Sequence, residues 1–361
     1  MDCLVVAEST QASIALCGIS LFERSLRTLE ACGMTRAFVL CDNPEKLNGP
    51  HRAQIDLVFS EPPCDGRLRL ALRGDSVFDQ RLLRALTAQE KATVLIDSAV
   101  AGTPCGAAFL ATDAITFSNF DDLLREAWER GELAPLDVAK QPSFQPDMHR
   151  SVRPYWLATP NKSGEKVILA AAQKGTLDIP ALVHAPIETF LVSKLCRTNI
   201  TPNQLTMFCN IVAWAATILF ATGHLAAGAA IAVVVGVLDG LDGKLARVKL
   251  ETSKAGEWEH FFDVLFEYSW WIAIAYALFA SGKLPSAFSY LGLLIGAEIC
   301  TALARGSVAR AYGKSLCDLG LFDRIVRLVG GRRNIYAWIF ALGILAGAPA
   351  SAFRIIAWWG V

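Results

Sequence analysis

The sequence lacks the cysteine pattern of a disulfide framework or a zinc ribbon. Its ten cysteines are scattered, none pair as C-x-x-C, and none cluster with histidine at metal-ligand spacing. Such a distribution is typical of free, buried cysteines in a reducing compartment. A secretory leader is not expected either, because the opening MDCLVVAEST carries two acids and no basic n-region. We therefore expect the N-terminal half to remain in the cytosol.

Net charge is absent too, because 34 lysines and arginines balance 34 aspartates and glutamates. Without a basic excess, bulk electrostatics gives no reason to expect a nucleic-acid partner. Internal repeats and low-complexity segments are also missing. The chain is 53% hydrophobic and 19% charged, too apolar for a typical soluble protein and too charged for a pure membrane bundle. The average therefore conceals two unlike halves.

Residues 1–140 have the pattern of a soluble α/β domain. Short runs rich in Val, Ile and Leu (LVVAE, AFVLC, IDLVF and ATVLID) alternate with helical patterns such as SLFERSLRTLEACG. This alternation predicts a parallel sheet covered by helices on both faces. Residues 141–184 are predicted to form a linker, Pro-rich at first and helical at EKVILAAAQKG. The following APIETFLVSKLCRT is predicted to lie at a membrane surface.

Residues 185–361 are predicted to form an all-α polytopic membrane bundle of about six helices. Four segments have nearly the length needed to cross ~30 Å of hydrocarbon: LTMFCNIVAWAATILFATG, LAAGAAIAVVVGVL, FFDVLFEYSWWIAIAYALFA and AFSYLGLLIGAEICTALA. IYAWIFALGILAGA is a shorter fifth candidate. For SAFRIIAWWGV, which contains Arg354, the sequence leaves open whether the chain crosses again.

Loop charges predict the orientation of this bundle. The segments after the second and fourth spans carry eleven lysines and arginines, whereas the alternate loops carry only Lys283. Because positive charge is retained on the cytosolic side, the asymmetry predicts a multi-pass protein of the inner (plasma) membrane with a cytosolic N-terminal domain.

Acidic residues occur within these apolar segments. Asp239 and Asp242 are three residues apart, which on a helix places them on one face. On the next span Glu259, Asp263 and Glu267 follow each other at intervals of four, and His260 lies three residues before Asp263. The two acidic faces can therefore converge.

Burying a carboxylate in a membrane costs at least ~2.5–3.5 kcal/mol, so these groups are expected to face a hydrated cavity or bind cations. Oxygen ligands at helical spacing suit Mg²⁺ or Mn²⁺, which usually keep positions open for phosphate oxygens. Gly243 would let a ligand approach the backbone, and Lys244 and Arg247 would hold the remaining phosphate charge. The alternative is a set of interfacial carboxylates that reach toward water.

Two motifs resemble a known family. Asp239-x-x-Asp242-Gly243-x-x-Ala246-Arg247, with Gly256 nine residues on, resembles the signature of the CDP-alcohol phosphotransferases, also called CDP-alcohol phosphatidyltransferases. The stretch from Thr201 to Thr206, TPNQLT, resembles the family's motif before its first span. The resemblance covers about residues 185–350. It implies transfer of a phosphoalcohol from a CDP-alcohol to an acceptor hydroxyl with release of CMP, two divalent ions, and homodimers, which are common in that family.

The resemblance also assigns roles to individual residues. The implied metal ligands are Asp239, Asp242, Glu259, His260 and Asp263, and the implied catalytic acids are Asp263 and Glu267. The implied donor-binding residues are Asn203, Thr206, Gly243, Lys244, Ala246, Arg247 and Gly256. One departure from the family pattern concerns the third span, where Glu259 and Asp263 sit one residue earlier than Gly256 requires. This leaves open which of Glu259, His260, Asp263 and Glu267 bind metal, and an inactive or altered member remains an alternative.

The N-terminal half resembles nucleotidyltransferases less closely. Gly18–Leu21 followed by Glu23–Leu26 is similar to the helix after that family's glycine-rich loop, and Arg73–Asp79 to its metal-aspartate segment. The loop itself, AESTQASIALC, has no glycine, lysine or arginine, so it offers neither close backbone approach nor positive charge to a triphosphate. A degenerate nucleotidyltransferase-like domain is therefore expected, although Asp75 could still bind a metal.

The fused arrangement resembles the bifunctional inositol-phosphate cytidylyltransferase/di-inositol-phosphate phosphate synthase family. It implies a CDP-alcohol donor, membrane lipids, and an acceptor such as an inositol phosphate or a lipid. Three functions follow as hypotheses: a phosphotransferase, a bifunctional enzyme that also makes its CDP-alcohol from CTP, and a non-catalytic transporter or scaffold. The clustering of the acids at one end of the spans speaks against a transport path. The sequence does not identify the donor alcohol, the acceptor or the oligomeric state.

Overall fold

The computed structural model describes the chain except for residues 101, 114, 159–161 and 252–255 and the side chains of residues 256–262. The described residues divide into two compact units. The first comprises Met1–Phe144, Ser151–Ala171 and Val248–Glu251. The second comprises Gln145–Arg150, Ala172–Arg247 and Thr252–Val361.

The N-terminal region is α/β, as predicted. Its strands are β1 (Asp2–Ala7), β2 (Ala15–Leu16), β3 (Ile19–Ser20), β4 (Arg36–Cys41), β5 (Asp56–Val58), β6 (Leu68–Arg73), β7 (Val77–Phe78), β8 (Thr93–Ile96), β9 (Pro104–Ala111), β10 (Ala134–Asp137), β11 (Phe144–Gln145), β12 (Arg150–Ser151) and β13 (Trp156–Leu157). Its helices are α1 (Ser9–Ala12), α2 (Leu21–Ala31), α3 (Pro44–Leu47), α4 (Gln80–Thr87), α5 (Phe120–Glu129) and α6 (Lys162–Ala171).

Seven strands form the main sheet in the order β10-β8-β9-β6-β1-β4-β5. β1 pairs in parallel with β4 and β6, whereas β9 pairs antiparallel with β6 and β8. The expectation of an entirely parallel sheet was therefore wrong at β9. Only residues 97–103 join β8 to β9, and a parallel crossover needs a dozen or more residues. The short connection forces the strand to return antiparallel.

The predicted strand and helix signals in this unit have clear physical causes. Residues Cys3–Ala7 of β1 are fully buried at the centre of the sheet, which explains why the run is continuously apolar. Helix α2 begins where the Ser20 hydroxyl accepts a hydrogen bond from the backbone NH of Glu23. Gly33, just beyond the end of α2, has φ +84°, a left-handed conformation that glycine adopts readily.

Residues 141–184, predicted as a linker, contain regular structure. Strand β13 pairs with β7, with Trp156 opposite Phe78. Helix α6 covers the predicted EKVILAAAQKG segment in part, and Glu165 on it accepts a hydrogen bond from the backbone NH of Cys17. Strand β13 and helix α6 therefore belong to the first unit and contribute packing and hydrogen bonds to it.

The second unit is helical. Its helices are α7 (Pro180–Leu195), α8 (Pro202–Ala221), α9 (Leu225–Lys249), α10 (Gly256–Ala280), α11 (Ala287–Tyr312), α12 (Leu321–Val329), α13 (Arg333–Leu345) and α14 (Pro349–Trp359). Within the described residues, α8, α9 and α11 are long and apolar enough to cross a membrane. At ~1.5 Å per residue, α13 and α14 each fall short of ~30 Å.

One hydrophobic core joins six of these helices. Buried residues from α8, α9, α10, α11, α13 and α14 belong to a single cluster. At its centre the Trp270 indole donates to the Ala213 carbonyl over 2.9 Å and packs edge-on against Phe220. Because a buried indole NH needs an acceptor, this hydrogen bond fixes α10 against α8.

Close contact between α13 and α14 depends on Gly343. A Cβ added at Gly343 would overlap the Cβ of Ala352, whereas a Cβ at Gly292 in α11 would meet no atom within 4 Å. Small residues permit such approach of helices where lipid provides no hydrophobic driving force. We expect Gly343→Ala to lower the unfolding temperature in detergent, since overpacking costs about 1–3 kcal/mol. The matched Gly292→Ala should leave it unchanged or slightly raised, and equal effects would contradict the packing account.

Candidate active site

The first helix of the bundle places a hydroxyl on one of the predicted metal ligands. Thr201 and Gln204 form a reciprocal capping box at the start of α8. Thr206 follows one turn later, and its hydroxyl donates to Asp242 Oδ2 over 2.6 Å. Asp242 is buried, and its Oδ1 accepts from the backbone NH of Gly243. The sequence motif that ends at Thr206 therefore meets the aspartate motif of α9 in space.

Asp239 and Asp263 converge on one cationic group. Arg333 is the first residue of α13. Its Nη2 lies 2.6 Å from Asp239 Oδ2, and its Nη1 lies 4.0 Å from Asp263 Oδ1. Its guanidinium also lies over the ring of Phe266, 4.9 Å from the centroid. The Arg333 side chain is only 12% exposed, so it is fixed between α9 and α10. Two aspartates from different helices thus share one positive charge.

This convergence matches the chemistry of a divalent-cation site. The donor set consists of carboxylate oxygens, which hard ions such as Mg²⁺ and Mn²⁺ prefer. Asp239 and Asp263 already hold one cation jointly, and Asp242 lies one helical turn from Asp239. The chemistry of these donors suits a divalent ion, which would compete with the Arg333 guanidinium for the oxygens of Asp239 and Asp263.

The ammonium group of Lys244 contacts α7, whereas the sequence predicts that it binds a phosphate of the donor. This buried ammonium donates to the Gln173 side-chain carbonyl and to the Thr189 hydroxyl of α7. Gln173 also donates to Glu188 over 3.3 Å. Burial raises the pKa of Glu188, and the Gln173 hydrogen bond and the charge of Lys244 oppose that change. Lys244 joins α9 to α7, and no described contact brings it to the carboxylates.

Three cations lie near one another, and the charge of Asp239 acts on one of them, Lys174. Arg247 Nε donates to the Ala172 carbonyl over 2.7 Å. Partial burial lowers the pKa of Lys174, and the neighbouring charges of Arg247 and Arg332 lower it further. Burial and the charge of Arg327 lower the pKa of Arg332 to about 10, so Arg332 remains cationic at neutral pH. Such a group of positive charges suits an anionic ligand.

A glycine permits one of these cations to fold back over its helix. A Cβ at Gly243 would lie 3.3 Å from Arg247 NH1, tighter than an ordinary contact. The Gly-x-x-Ala-Arg spacing therefore has a geometric reason in this chain, because Gly243 leaves room for the guanidinium one turn further along α9.

Other predicted site residues are not brought to this cluster by any described contact. Asn203 is exposed and Ala246 half-buried on their helices. Glu267 lies one turn along α10 from Asp263, and its charge acts on Arg333. The predicted site residues Gly256, Glu259 and His260 lie in the part of α10 whose side chains are outside the described residues. Which of them binds metal therefore stays a prediction. Asp263, whose side chain is described, faces Arg333.

Sequence reasoning missed several of the groups around the cluster. Gln173 and Thr189, which bind Lys244, carry no recognisable motif. Lys174 lies in the predicted linker and belongs to no motif. Arg333 is one of several cations in a basic segment, so the sequence gives it no signal of its own. Its position at the start of a helix after a Gly-Gly-Arg stretch gives no signal of a contact with Asp239 and Asp263, which lie 94 and 70 residues earlier in the chain.

The first unit has a polar cavity of its own. A cavity of about 350 Å³ is lined by Glu8, Gln11, Arg73, Asp75, Ser76, Pro104, Cys105, Gly106, Asp121, Trp156 and Ala158. Arg73 is the cation among these residues, and it is paired with both Asp75 and Asp121. The segment where a phosphate-cradling loop is expected forms helix α1 instead, and the Ser9 backbone NH donates to Asp42.

Comparison with known proteins gives two results. Residues 199–361 match the family described as CDP-alcohol phosphatidyltransferase. The chain is 28% identical over 231 residues to "Bifunctional IPC transferase and DIPP synthase" of Rubrobacter xylanophilus. This match covers 63% of the chain and 49% of the relative, so the chain spans about half of the length of the curated relative it matches. The residues matched to this family contain the converging acids of α9 and α10, so the family match and the geometry point to the same part of the chain.

Proposed function

We propose that this protein transfers a phosphoalcohol from a CDP-alcohol to an acceptor hydroxyl and releases CMP at the cytosolic face of the inner membrane. The observation that carries the proposal is the convergence of Asp239 and Asp263 on one cation, with Asp242 held beside them by Thr206. The convergence lies inside the region that matches the family.

Each group near the cluster has a role in this proposal. Asp239, Asp242 and Asp263, together with Glu259 or His260, would hold two divalent ions, which supply charge stabilisation to the departing CMP. Asp263 or Glu267 takes the proton of the acceptor hydroxyl. Arg247, Lys174 and Arg332 bind phosphate oxygens of donor or acceptor. The remaining donor contacts are assigned to Asn203, Gly243, Ala246 and Gly256.

The proposed topology is a bundle of six helices with the N-terminal domain in the cytosol. The single core shared by α8, α9, α10, α11, α13 and α14 supports six helices rather than three. The excess of basic residues after α9 and α11 supports the orientation. α13 and α14 would enter the bilayer as a short hairpin held by Gly343. A homodimer is part of the proposal, by analogy with the family.

We further propose that the N-terminal domain, residues 1–140, no longer transfers nucleotides. Its cavity contains three carboxylates against one arginine that they already neutralise. A triphosphate brought into such a cavity would meet unpaired negative charge. The relative from Rubrobacter xylanophilus is named as a bifunctional protein, and an active N-terminal domain is therefore the second candidate.

A direct assay tests the main proposal. Purified full-length protein in detergent is incubated with labelled CDP-alcohols, Mn²⁺ or Mg²⁺, and acceptors that include inositol phosphates and lipids. CMP should appear only when donor, acceptor and metal are all present, and EDTA should abolish it. Pyrophosphate release from CTP and an alcohol phosphate should be absent.

Two results would overturn parts of this account. Absence of CMP from every donor, combined with ion flux in liposomes, would favour a transporter. Pyrophosphate release that depends on Asp75 would show that the N-terminal domain is active and the protein bifunctional.

A further inference from the structure

A group of three potential metal ligands lies outside the aspartate cluster. Among the described residues, ligand atoms of His149, Cys317 and Asp318 all lie within 4.8 Å of one another. His149 Nδ1 is 3.0 Å from Asp318 Oδ2 and 3.5 Å from Cys317 Sγ. The three come from two segments, one before α6 and the other between α11 and α12.

The spacing of these atoms agrees with a tetrahedral zinc site. Zinc binds sulfur at ~2.3 Å and imidazole nitrogen at ~2.0–2.1 Å, which places the two ligand atoms about 3.5 Å apart. The distance between Cys317 Sγ and His149 Nδ1 is 3.5 Å. A thiolate with an imidazole selects zinc over the hard ions that the aspartate cluster suits.

Asp318 supplies an independent sign of a missing partner. Its side chain is only 8% exposed, and its Oδ1 accepts no hydrogen bond from the described residues. Arg324 forms a long ion pair with this oxygen at 3.7 Å, beyond hydrogen-bonding distance. A buried carboxylate oxygen without a donor is costly, and a cation between Asp318 and Cys317 would satisfy it.

Charge balance also favours a divalent ion. With neutral His149, the Cys317 thiolate and the Asp318 carboxylate carry two negative charges, which a zinc ion neutralises. Since zinc replaces the proton on Nδ1, the histidine becomes a ligand in place of a hydrogen-bond donor.

The backbone around His149 is fixed in place. His149 has φ +48°, a conformation uncommon for residues other than glycine. The Gly175 backbone NH donates to the Met148 carbonyl over 2.7 Å. A Cβ at Gly175 would lie 2.5 Å from the His149 carbonyl oxygen, so glycine is required there. Gly175 lies two residues after Gln173, whose side chain binds Lys244 of α9.

We propose that His149, Cys317 and Asp318 bind a zinc ion that fastens the α11–α12 connection to the segment that supports Gln173. The ion is a positioning element that no catalytic step uses. The proposal is independent of the phosphotransfer reaction, because it rests on a separate set of ligands.

Zinc retention by purified protein tests this. Full-length protein in detergent, given zinc and dialysed against metal-free buffer, should keep one zinc per chain by elemental analysis. Cobalt in its place should give a thiolate-to-cobalt charge-transfer band. Cys317→Ser should abolish the band and weaken zinc binding at least about 100-fold, since losing even an outer partner costs about 10–100-fold. The control Cys300→Ser, at an exposed cysteine of α11, should behave as wild type.

A second variant and a second measurement distinguish the loss of a zinc ligand from misfolding of the variant. Asp318→Asn keeps the shape of the side chain and should also lose zinc. Zinc should raise the unfolding temperature of the wild type and leave that of Asp318→Asn unchanged. Wild type that retains no zinc, or Cys317→Ser that retains as much as wild type, would overturn the proposal.

Discussion

Asp242→Asn should reduce the rate of CMP release by about 10²–10³-fold, the usual loss when one electrostatic stabiliser is removed from a preorganised site. The carboxylate is buried and receives the Thr206 hydroxyl on Oδ2 over 2.6 Å. Asparagine has nearly the same shape, so the fold is retained while the negative charge is lost. The measurement is single-turnover CMP release at saturating donor with titrated Mn²⁺.

The matched control is Asp56→Asn, which removes an aspartate whose side chain is 60% exposed and paired with Arg36. Exposed ion pairs contribute little, so this variant should keep the wild-type rate. If Asp242→Asn also kept the wild-type rate, Asp242 would have no part in the reaction, and the assignment of α9 as the metal-binding helix would fail.

Arg333→Gln should destabilise the protein without metal and make Mn²⁺ more stabilising than in wild type. Removing one partner of a fully buried ion pair costs about 3–5 kcal/mol, and the loss should be smaller here because Asp239 and Asp263 are 30% and 27% exposed. Here Asp239 and Asp263 would both lose their shared cation. A divalent ion can replace the lost charge, and it no longer competes with the guanidinium.

Thermal unfolding in detergent, measured in EDTA and in saturating Mn²⁺, separates these two effects. The unfolding temperature of Arg333→Gln should be lower than wild type in EDTA, and its rise with Mn²⁺ should be larger. Arg310→Gln, at an exposed arginine near the end of α11, should match wild type in both. If Arg333→Gln unfolded in EDTA at the same temperature as the wild type, the ion pairs of Arg333 with Asp239 and Asp263 would not stabilise the fold.

The local part of the site could be predicted from the sequence. The spacing of Asp239 and Asp242 depends only on helical geometry, and TPNQLT contains both the cap of α8 and Thr206. These are short-range properties, so a motif reports them directly. The contact between Thr206 and Asp242 then follows from two helices that are neighbours in the chain.

The long-range part could not be predicted. Arg333 reaches Asp239 only because α13 packs on the core shared with α9 and α10, and no periodicity encodes that contact. His149 and Cys317 are far apart in the sequence, so a search for cysteine and histidine at metal spacing misses them. Lys244, a cation beside the phosphate motif, donates to Gln173 and Thr189 in this structure, and its predicted contact with the donor stays a prediction.

In the fold, too, the sequence predicts the local elements but not their long-range arrangement. Continuous apolar runs identified the main strands, but strand direction depends on the length of the connections. Strand β9 runs antiparallel because only residues 97–103 connect it to β8. The order of predicted strands and helices alone does not include the length of this connection.

Anomalous diffraction from crystals grown with CDP and Mn²⁺ tests the central claim most directly. Manganese peaks should lie about 2.1 Å from carboxylate oxygens of Asp239, Asp242 and Asp263, a typical distance for a small divalent ion, with the Arg333 guanidinium displaced from between them. Manganese elsewhere, or Arg333 still bridging Asp239 and Asp263 with CDP bound, would contradict the assignment of these aspartates as the metal site of a phosphotransferase.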